Sequence, residues 1–290
     1  MGLALRRPAY RRIVRVGNSF YVSLPRDWVR SQELEPGSLV SVEPVEDGIL
    51  VKPVTSKGVR RARVKTLERG SVQEVIRAYL AGYEVIEIRS PSTEFRRSLD
   101  KLLNLLVGLE VVEERGDHVV LQCFIREDYE VRNVLSRMDS ISRSMYLDAA
   151  VGLERGDEEL LESVRSRDDR LDRLYFLAVR LLRSSALSPT LSGRERVFLI
   201  DARLVAKILE EIGDEAERLT YAKPRGSLVE AAELIAECQR KAVNSFLRGS
   251  CCEAPLEELR SFISAGGAAG AWDVLNRIAR LVLDVAEIAF

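Results

Sequence analysis

The sequence predicts an α+β protein of several domains, and three observations support this prediction. Between residues 10 and 54, short segments of alternating apolar and polar residues are separated by Gly and Pro, which is typical of strands and turns. The segment that follows alternates strand-like and helix-like patterns. From Glu127 onward, apolar residues recur at steps of three and four, as in helices. We therefore divide the 290 residues into domains at 1–55, 56–126 and 127–290.

The first domain is predicted to hold two hairpins joined by a short helix. Strand-like alternation surrounds Val14, Phe20, Val42 and Ile49, and the second strand is expected to continue through Val22 and Leu24. Pro25 suits the first helical turn, where its missing N–H is not needed. Two hairpins and one helical turn cannot bury their apolar side chains within one copy. This predicts a homodimer formed through residues 10–54.

These motifs occur in an order that resembles the AbrB-type swapped-hairpin DNA-binding domain. The resemblance rests on residues 14–29, VRVGNSFYVSLPRDWV, and on the later Pro-Gly and Asp-Gly turns. It implies that two chains interleave into one small β-barrel and that basic residues on one face contact DNA. Guanidinium groups suit phosphate oxygens and guanine edges, and Asn can recognise adenine. The candidate DNA contacts are Arg11, Arg12, Arg15, Asn18, Ser19 and Arg26, with Arg30 as a further candidate.

Charge is distributed unevenly along the chain. The net charge is −1, but residues 1–55 hold eight basic and six acidic residues, whereas residues 127–290 hold twenty-three and twenty-nine. A basic front end and an acidic back end suit a nucleic-acid module attached to a domain with another role. The small excess of two positive charges in residues 1–55 leaves a second interpretation open, in which this domain only dimerises the chain.

Several classes of protein are excluded because the sequence lacks the residues that their chemistry needs. The only histidine is His118, and the four cysteines show no zinc spacing, so we expect no enzyme. No Gly-rich phosphate loop is present. No apolar run is long enough to span a bilayer, and no signal peptide follows the N-terminal arginines. We expect a cytoplasmic protein without membrane insertion.

The middle domain is predicted to be a small α+β unit. Residues 55–62 resemble a linker, and Ser71 can cap a helix that ends near Ala81. A strand from Tyr83, a helix from Ser92 and a hairpin around residues 115–117 follow. We find no chemistry in this domain and expect a role as spacer or dimer contact.

The third domain is predicted to be all-α. The expected helices are centred on the apolar stripes of residues 131–145, 160–182 and 197–219, followed by Ser227 to about Leu247, Pro255–Ser264 and Ala271–Phe290. The stripes are broad and lack sustained heptads, so we expect a globular bundle of two antiparallel three-helix units.

Two of these helices carry acidic pairs at one spacing. Asp168 and Asp172, and likewise Glu210 and Asp214, stand four residues apart, which places both carboxylates of a pair on one helix face. On a helical wheel, Glu210 and Asp214 lie nearly opposite the apolar stripe, which predicts a site on the outside of the bundle. From spacing alone, a solvated acidic face is favoured over a metal site. The residues that could neutralise these acids without a metal are Arg173, Arg203 and Lys207.

The run VRSRDDRLDRLYFL and the later ILEEIGDEAE resemble the PhoU family of phosphate-uptake regulators. The resemblance implies a six-helix bundle of two three-helix repeats, with E/D-x-x-x-D motifs that bind metal clusters on the surface. Asp168, Asp172, Glu210 and Asp214 match the motif and would hold Fe³⁺, Mn²⁺, Mg²⁺ or Ca²⁺. The second repeat has Asn276 and Arg280 at the corresponding positions, so at most one cluster per chain is expected.

An AbrB-like domain followed by a PhoU-like bundle resembles the archaeal phosphate-uptake regulators. The first hypothesis is therefore a dimeric DNA-binding regulator of phosphate uptake. The alternative is an adaptor that does not bind DNA and docks on a phosphate transporter ATPase or a sensor kinase. An antitoxin is the weaker third hypothesis, because the chain continues for some 230 residues after the first domain.

Overall fold

The computed structural model describes residues 10–46, 48–54, 64–68, 70–125, 129–188, 190–223, 226–252, 254–265 and 270–289. The chain divides into two compact units, residues 1–60 and residues 61–290. The predicted linker at 55–62 lies outside the described residues. The three-domain division stays a prediction.

The first unit contains two antiparallel hairpins and a short helix. Its elements are β1 (Val14–Val16), β2 (Ser19–Tyr21), α1 (Arg26–Ser31), β3 (Val40–Val45) and β4 (Gly48–Pro53). Gly17 adopts a φ of 61°, and Val16 is paired with Ser19 across the tight turn. In the described residues β2 ends at Tyr21, so the prediction that it continues through Val22 and Leu24 is wrong: β1 offers these residues no paired backbone. Pro25 is the N-cap of α1 rather than its first helical residue.

None of the described residues in this unit is buried. In β3 and β4, the register places Val42 beside Val51 and Ile49 beside Pro44 on one face. Val42 is 59% exposed and Ile49 is 68% exposed. On the other face Lys52 pairs with Glu43 at 2.8 Å. One copy therefore leaves the apolar face of Val42 and Ile49 without cover, while the opposite face carries the Lys52–Glu43 pair as well as Val45 and Leu50.

The second unit begins with a four-stranded mixed sheet. Its elements are β5 (Val64–Glu68), α2 (Val72–Leu80), β6 (Val85–Arg89), α3 (Thr93–Leu105), β7 (Leu109–Glu114) and β8 (His118–Cys123). The strand order is β5-β6-β8-β7, with only the β5–β6 pair parallel in the described sheet. Ser71 caps α2 in a capping box with Glu74, which confirms the predicted start of that helix.

A helical bundle follows the sheet, as the periodicity of residues 127–290 predicts. Its helices are α4 (Val131–Arg155), α5 (Glu158–Ala186), α6 (Gly193–Leu219), α7 (Val229–Arg248), α8 (Leu256–Ala265) and α9 (Ala271–Ile288). α4, α5 and α6 pack against one another, and α9 packs against α6, α7 and α8. Within the described ranges, every helix is too short or too polar to traverse a bilayer.

A buried arginine joins the bundle to the sheet region. Arg180 of α5 is 6% exposed and lies 4.8 Å from the ring centroid of Tyr79. Its guanidinium donates hydrogen bonds to the backbone carbonyls of Tyr79 and Tyr83. The guanidinium thereby satisfies one carbonyl in the last turn of α2 and one just after the helix. A cation is stabilising there because the C-terminal end of a helix dipole is negative. This contact fixes α2 against α5.

Candidate nucleic-acid interface and metal centre

The predicted DNA contacts are all exposed and belong to the first hairpin and to α1. Arg11 and Arg12 precede β1, and Arg15 lies within it. Arg15 Nε donates to the carbonyl oxygen of Gly17 at 2.9 Å, which holds the guanidinium near the β1–β2 turn. The guanidinium of Arg15 therefore borders the turn. Four of its five N–H donors remain for a ligand.

Register separates the candidate residues of the hairpin into two sets. Arg15 is paired with Phe20, so these two side chains share one face. Ser19 is paired with Val16, and this pair lies on the opposite face with Val14 and Tyr21. Arg15 and Ser19 therefore do not share a strand face, although Ser19 adjoins the turn. The guanidinium of Arg15 therefore lies beside the turn, whereas the side chain of Ser19 lies on the face of Val14, Val16 and Tyr21.

The helix α1 supplies the remaining candidates. Arg26 is its first residue, and Arg30 lies in its last turn. A positive charge in the last turn interacts favourably with the negative end of the helix dipole. The spacing of four residues places both side chains on the same side of this short helix. Asp27 lies in the first turn and lowers the local positive charge.

Three of the four predicted metal-ligating residues lie together in the second unit. Carboxylate oxygens of Asp172, Glu210 and Asp214 are all within 4.8 Å of one another. Asp214 is exposed, whereas Asp172 and Glu210 are half-buried, with 14% of the Glu210 side chain exposed. Glu210 is therefore less exposed than a site on the outside of the bundle would suggest, whereas Asp214 is exposed as predicted. Asp168 lies one turn away from this group, which we call the carboxylate cluster.

Lys207 supplies the positive charge nearest to the carboxylate cluster. Its Nζ contacts a carboxylate oxygen of Glu210 and lies 3.4 Å from Glu211. Arg203 was also predicted to neutralise the acids, but it donates a 2.9 Å hydrogen bond to the hydroxyl of Tyr175. One lysine faces three carboxylates, so negative charge remains in excess among the described residues.

Burial and the excess negative charge both raise the pKa values of the aspartates at this site. Burial, followed by the charges of Asp172 and Asp214, raises the pKa of Asp168 to about 7. Burial and the charge of Glu210 raise the pKa of Asp172 to about 6. The pKa of Asp214 is also raised, by burial first and then by Glu210. A bound cation would favour the ionised forms and lower these pKa values.

Gly213 allows α5 and α6 to approach closely at this point, and the sequence analysis did not identify it. A Cβ atom on Gly213 would lie 2.2 Å from Cδ2 of Leu171 and 3.5 Å from Oδ1 of Asp168. Only a residue without a side chain fits this crossing. The signal was the lone Gly in ILEEIGDEAE, within an otherwise strong helical pattern.

Among the described residues, the carboxylate cluster has no counterpart at the positions of α9 that were predicted to correspond to Glu210 and Asp214. The side-chain oxygen of Asn276 is buried and has no hydrogen-bond partner in the described part of the chain. Its neighbour Arg277 pairs with Glu215 of α6 at 2.9 Å and with Asp273. Arg280 is exposed. An amide and two arginines in this part of α9 agree with the prediction of at most one metal cluster per chain. Metal binding itself stays a prediction.

A pH dependence of stability follows from the raised pKa values. Asp168 and Asp172 bind more protons in the folded protein than in the unfolded chain above pH 4, so the stability that they contribute falls as pH rises from about 4 to about 7. In a chelator-containing buffer, Asp168→Asn should raise the unfolding temperature at pH 8 by about 2–4 °C, after discounting for solvent screening. The gain should shrink at pH 5. Thermal unfolding at both pH values checks this, with Glu233→Gln as control, because Glu233 is exposed on α7. An equal gain at both pH values would show that repulsion is not the cause.

Two protein-family models match this chain. The "PhoU domain" model matches residues 135–221, and the model "Antidote-toxin recognition MazE, bacterial antitoxin" matches residues 13–58. A search of curated proteins finds no match. Among solved structures, the chain is similar to the "Crystal structure of PhoU from Pseudomonas aeruginosa". The sequence identity is 17% and the TM-score 0.40, and the likeness covers 55% of this chain and 93% of that chain.

The two family matches support a PhoU-type protein that carries an AbrB-like N-terminal domain. The PhoU match covers most of α4 and all of α5 and α6, which include the carboxylate cluster. The match to the PhoU domain supports the prediction that this chain is not an enzyme. Phosphate-uptake regulation is the role that this match suggests.

Proposed function

We propose that this protein is a dimeric DNA-binding transcriptional regulator of phosphate uptake that acts in the cytoplasm. The observation that carries the proposal is the occurrence of both family matches on one chain, at residues 13–58 and 135–221. The exposed arginines around the β1–β2 turn supply the positive charge that a DNA backbone requires. The proposal includes the resemblance of this domain architecture to the archaeal phosphate-uptake regulators.

In this proposal, two copies of residues 10–54 interleave their hairpins into one swapped-hairpin barrel. The support is the uncovered apolar face of β3 and β4, together with the absence of any buried residue in the described part of this unit. The barrel would present two sets of arginines related by two-fold symmetry, which suits a palindromic operator. The bundle, with two three-helix repeats, would sense phosphate status or dock a transporter or sensor protein.

We further propose that the carboxylate cluster binds a hard metal ion. The donor set fits, because Asp172, Glu210 and Asp214 offer only oxygen atoms, and Fe³⁺, Mn²⁺, Mg²⁺ and Ca²⁺ prefer oxygen ligands. Burial and the neighbouring carboxylates raise the pKa values of Asp172 and Asp214, and a bound cation would offset both effects. Asp168 lies near enough to be a further ligand. When bound, the ion would supply positive charge that fixes α5 against α6.

The metal proposal predicts a specific loss of metal. Asp214→Ala removes one carboxylate of the cluster, so it should lower the metal content per chain at least tenfold after dialysis. Asp169→Ala removes an exposed acid from the same stretch of α5 and should leave the content unchanged. Elemental analysis of the purified proteins measures this. Equal metal in all three proteins, or none in any, would leave only a solvated acidic face.

The second candidate is an adaptor that uses the first domain only to dimerise. It is favoured by the small charge excess of residues 1–55, eight basic against six acidic residues. DNA retention at increasing salt separates the two functions. A regulator that contacts about six phosphates should lose roughly 10³-fold in affinity between about 50 and 200 mM salt. An adaptor should not be retained at either salt concentration.

A further inference from the structure

A cleft at one end of the bundle is lined by three arginines from three different helices. It lies between the start of α4, the start of α6 and the end of α7, and its volume is about 410 Å³. Arg132, Arg194 and Arg248 line it, together with the apolar side chains of Val197 and Ile288. A volume of roughly 300–1,000 Å³ is usual for small-molecule sites.

The arginines are held at the end of α7. The guanidinium of Arg132 lies 3.9 Å from the ring centroid of Phe198 and donates a hydrogen bond to the carbonyl of Leu247. A Cβ atom built on Gly249 would lie 3.1 Å from Nη2 of Arg194, so that guanidinium also lies against the α7 terminus. Two cationic groups are therefore gathered at one place, although like charges repel.

These arginines have no carboxylate partner among the described residues. Elsewhere in the bundle arginines are paired, as Arg143 is with Asp139 at 2.9 Å and Arg240 with Glu237 at 2.7 Å. Two acidic residues, Glu195 and Asp201, also line the cleft. The carboxylate of Glu195 already accepts hydrogen bonds from the backbone N–H and hydroxyl of Ser192. Three arginines against two carboxylates leave the cleft with an excess of one positive charge.

Capping of α7 does not account for all three arginines. The N–H of Gly249 donates to the carbonyl of Phe246 at 3.1 Å, and the N–H of Ser250 donates to Ser245 at 3.0 Å. Arg132 satisfies Leu247. The end of the helix is thus capped without Arg194 or Arg248, and both of these residues line the cleft.

We propose that this cleft binds a phosphate group, either free or as the monoester of a small molecule. Guanidinium groups bind phosphate through pairs of charge-assisted hydrogen bonds, and three of them suit a compact dianion. Val197 and Ile288 would contact the carbon skeleton of an ester. This inference rests on the bundle alone and stands or falls independently of DNA binding and of the carboxylate cluster.

The test is calorimetric titration of the full-length protein with inorganic phosphate and, separately, with adenosine monophosphate. Tighter binding of one probe identifies whether the free ion or an ester is the ligand. The Arg194→Ala/Arg248→Ala variant should bind at least tenfold more weakly. Arg155→Ala, about 35 Å away at the other end of α4, should bind as the wild type does.

Both substituted arginines are exposed, so the variant should keep its fold, which circular dichroism checks. If the double variant fails to fold, Arg248→Gln alone serves, with a weaker but still several-fold loss expected. The proposal is overturned if neither probe binds the wild type, or if a folded arginine variant binds as tightly as the wild type.

Discussion

Replacing Val42 with lysine should dissociate the protein into monomers. Val42 lies on the uncovered apolar face of the β3–β4 hairpin and is 59% exposed in one copy. If a second copy covers this face, the substitution buries an unpaired ammonium group, which costs several kcal/mol. We expect the dimer dissociation constant to rise at least roughly a hundredfold, which corresponds to about 2.7 kcal/mol.

Sedimentation of the full-length chain at several concentrations measures this effect. The wild type should sediment as a dimer of 32.6 kDa chains, and Val42→Lys as a monomer over the same concentrations. Gln32→Lys adds the same charge at the exposed C-cap of α1 and should remain dimeric. A wild type that is monomeric, or a Val42→Lys variant that remains a dimer, would contradict the swapped barrel.

The quadruple alanine variant of Arg11, Arg12, Arg15 and Arg26 should lose DNA binding. A phosphate or base contact by arginine is worth about 1–3 kcal/mol, and a dimer loses each contact twice. The loss should exceed roughly a hundredfold in affinity even if the contributions overlap. Arg15 is expected to matter most, because its guanidinium is already held beside the β1–β2 turn.

Fluorescence anisotropy with a labelled duplex measures the affinity at one fixed salt concentration. The matched control replaces four exposed arginines of the bundle by alanine, namely Arg137, Arg155, Arg170 and Arg183. This control changes the net charge equally and should bind DNA at least as well as the wild type. Equal loss in both quadruple variants would mean that only overall charge matters, and no loss in either would favour the adaptor.

Local sequence patterns predict most of this fold. The periodicity of three and four finds the bundle helices, and the capping residue Ser71 marks the start of α2. The strand β5 was not predicted, because VKTLE carries a weak alternation and the strand depends on parallel pairing with β6. The role of Arg180 was also missed, since nothing in its neighbourhood along the chain indicates that its guanidinium binds the carbonyls of Tyr79 and Tyr83.

The carboxylate cluster was predicted in part. A spacing of four residues places Asp168 and Asp172 on one face of α5, but it does not determine the register of α5 against α6. In the structure Gly213 lies against Leu171, and a carboxylate oxygen of Asp172 lies within 4.8 Å of carboxylate oxygens of Glu210 and Asp214. The arginine cleft could not be predicted either, because its three arginines are separated by more than 50 residues along the chain.

Capture of genomic DNA fragments by the purified full-length protein tests the proposed regulator most directly. The fragments come from the genome that encodes the protein, and the capture is done with and without phosphate. A DNA-binding regulator of phosphate uptake should enrich fragments upstream of phosphate-transport genes, and phosphate should change that enrichment. Capture of no fragment above background, or of fragments unrelated to phosphate transport, would contradict the proposed function.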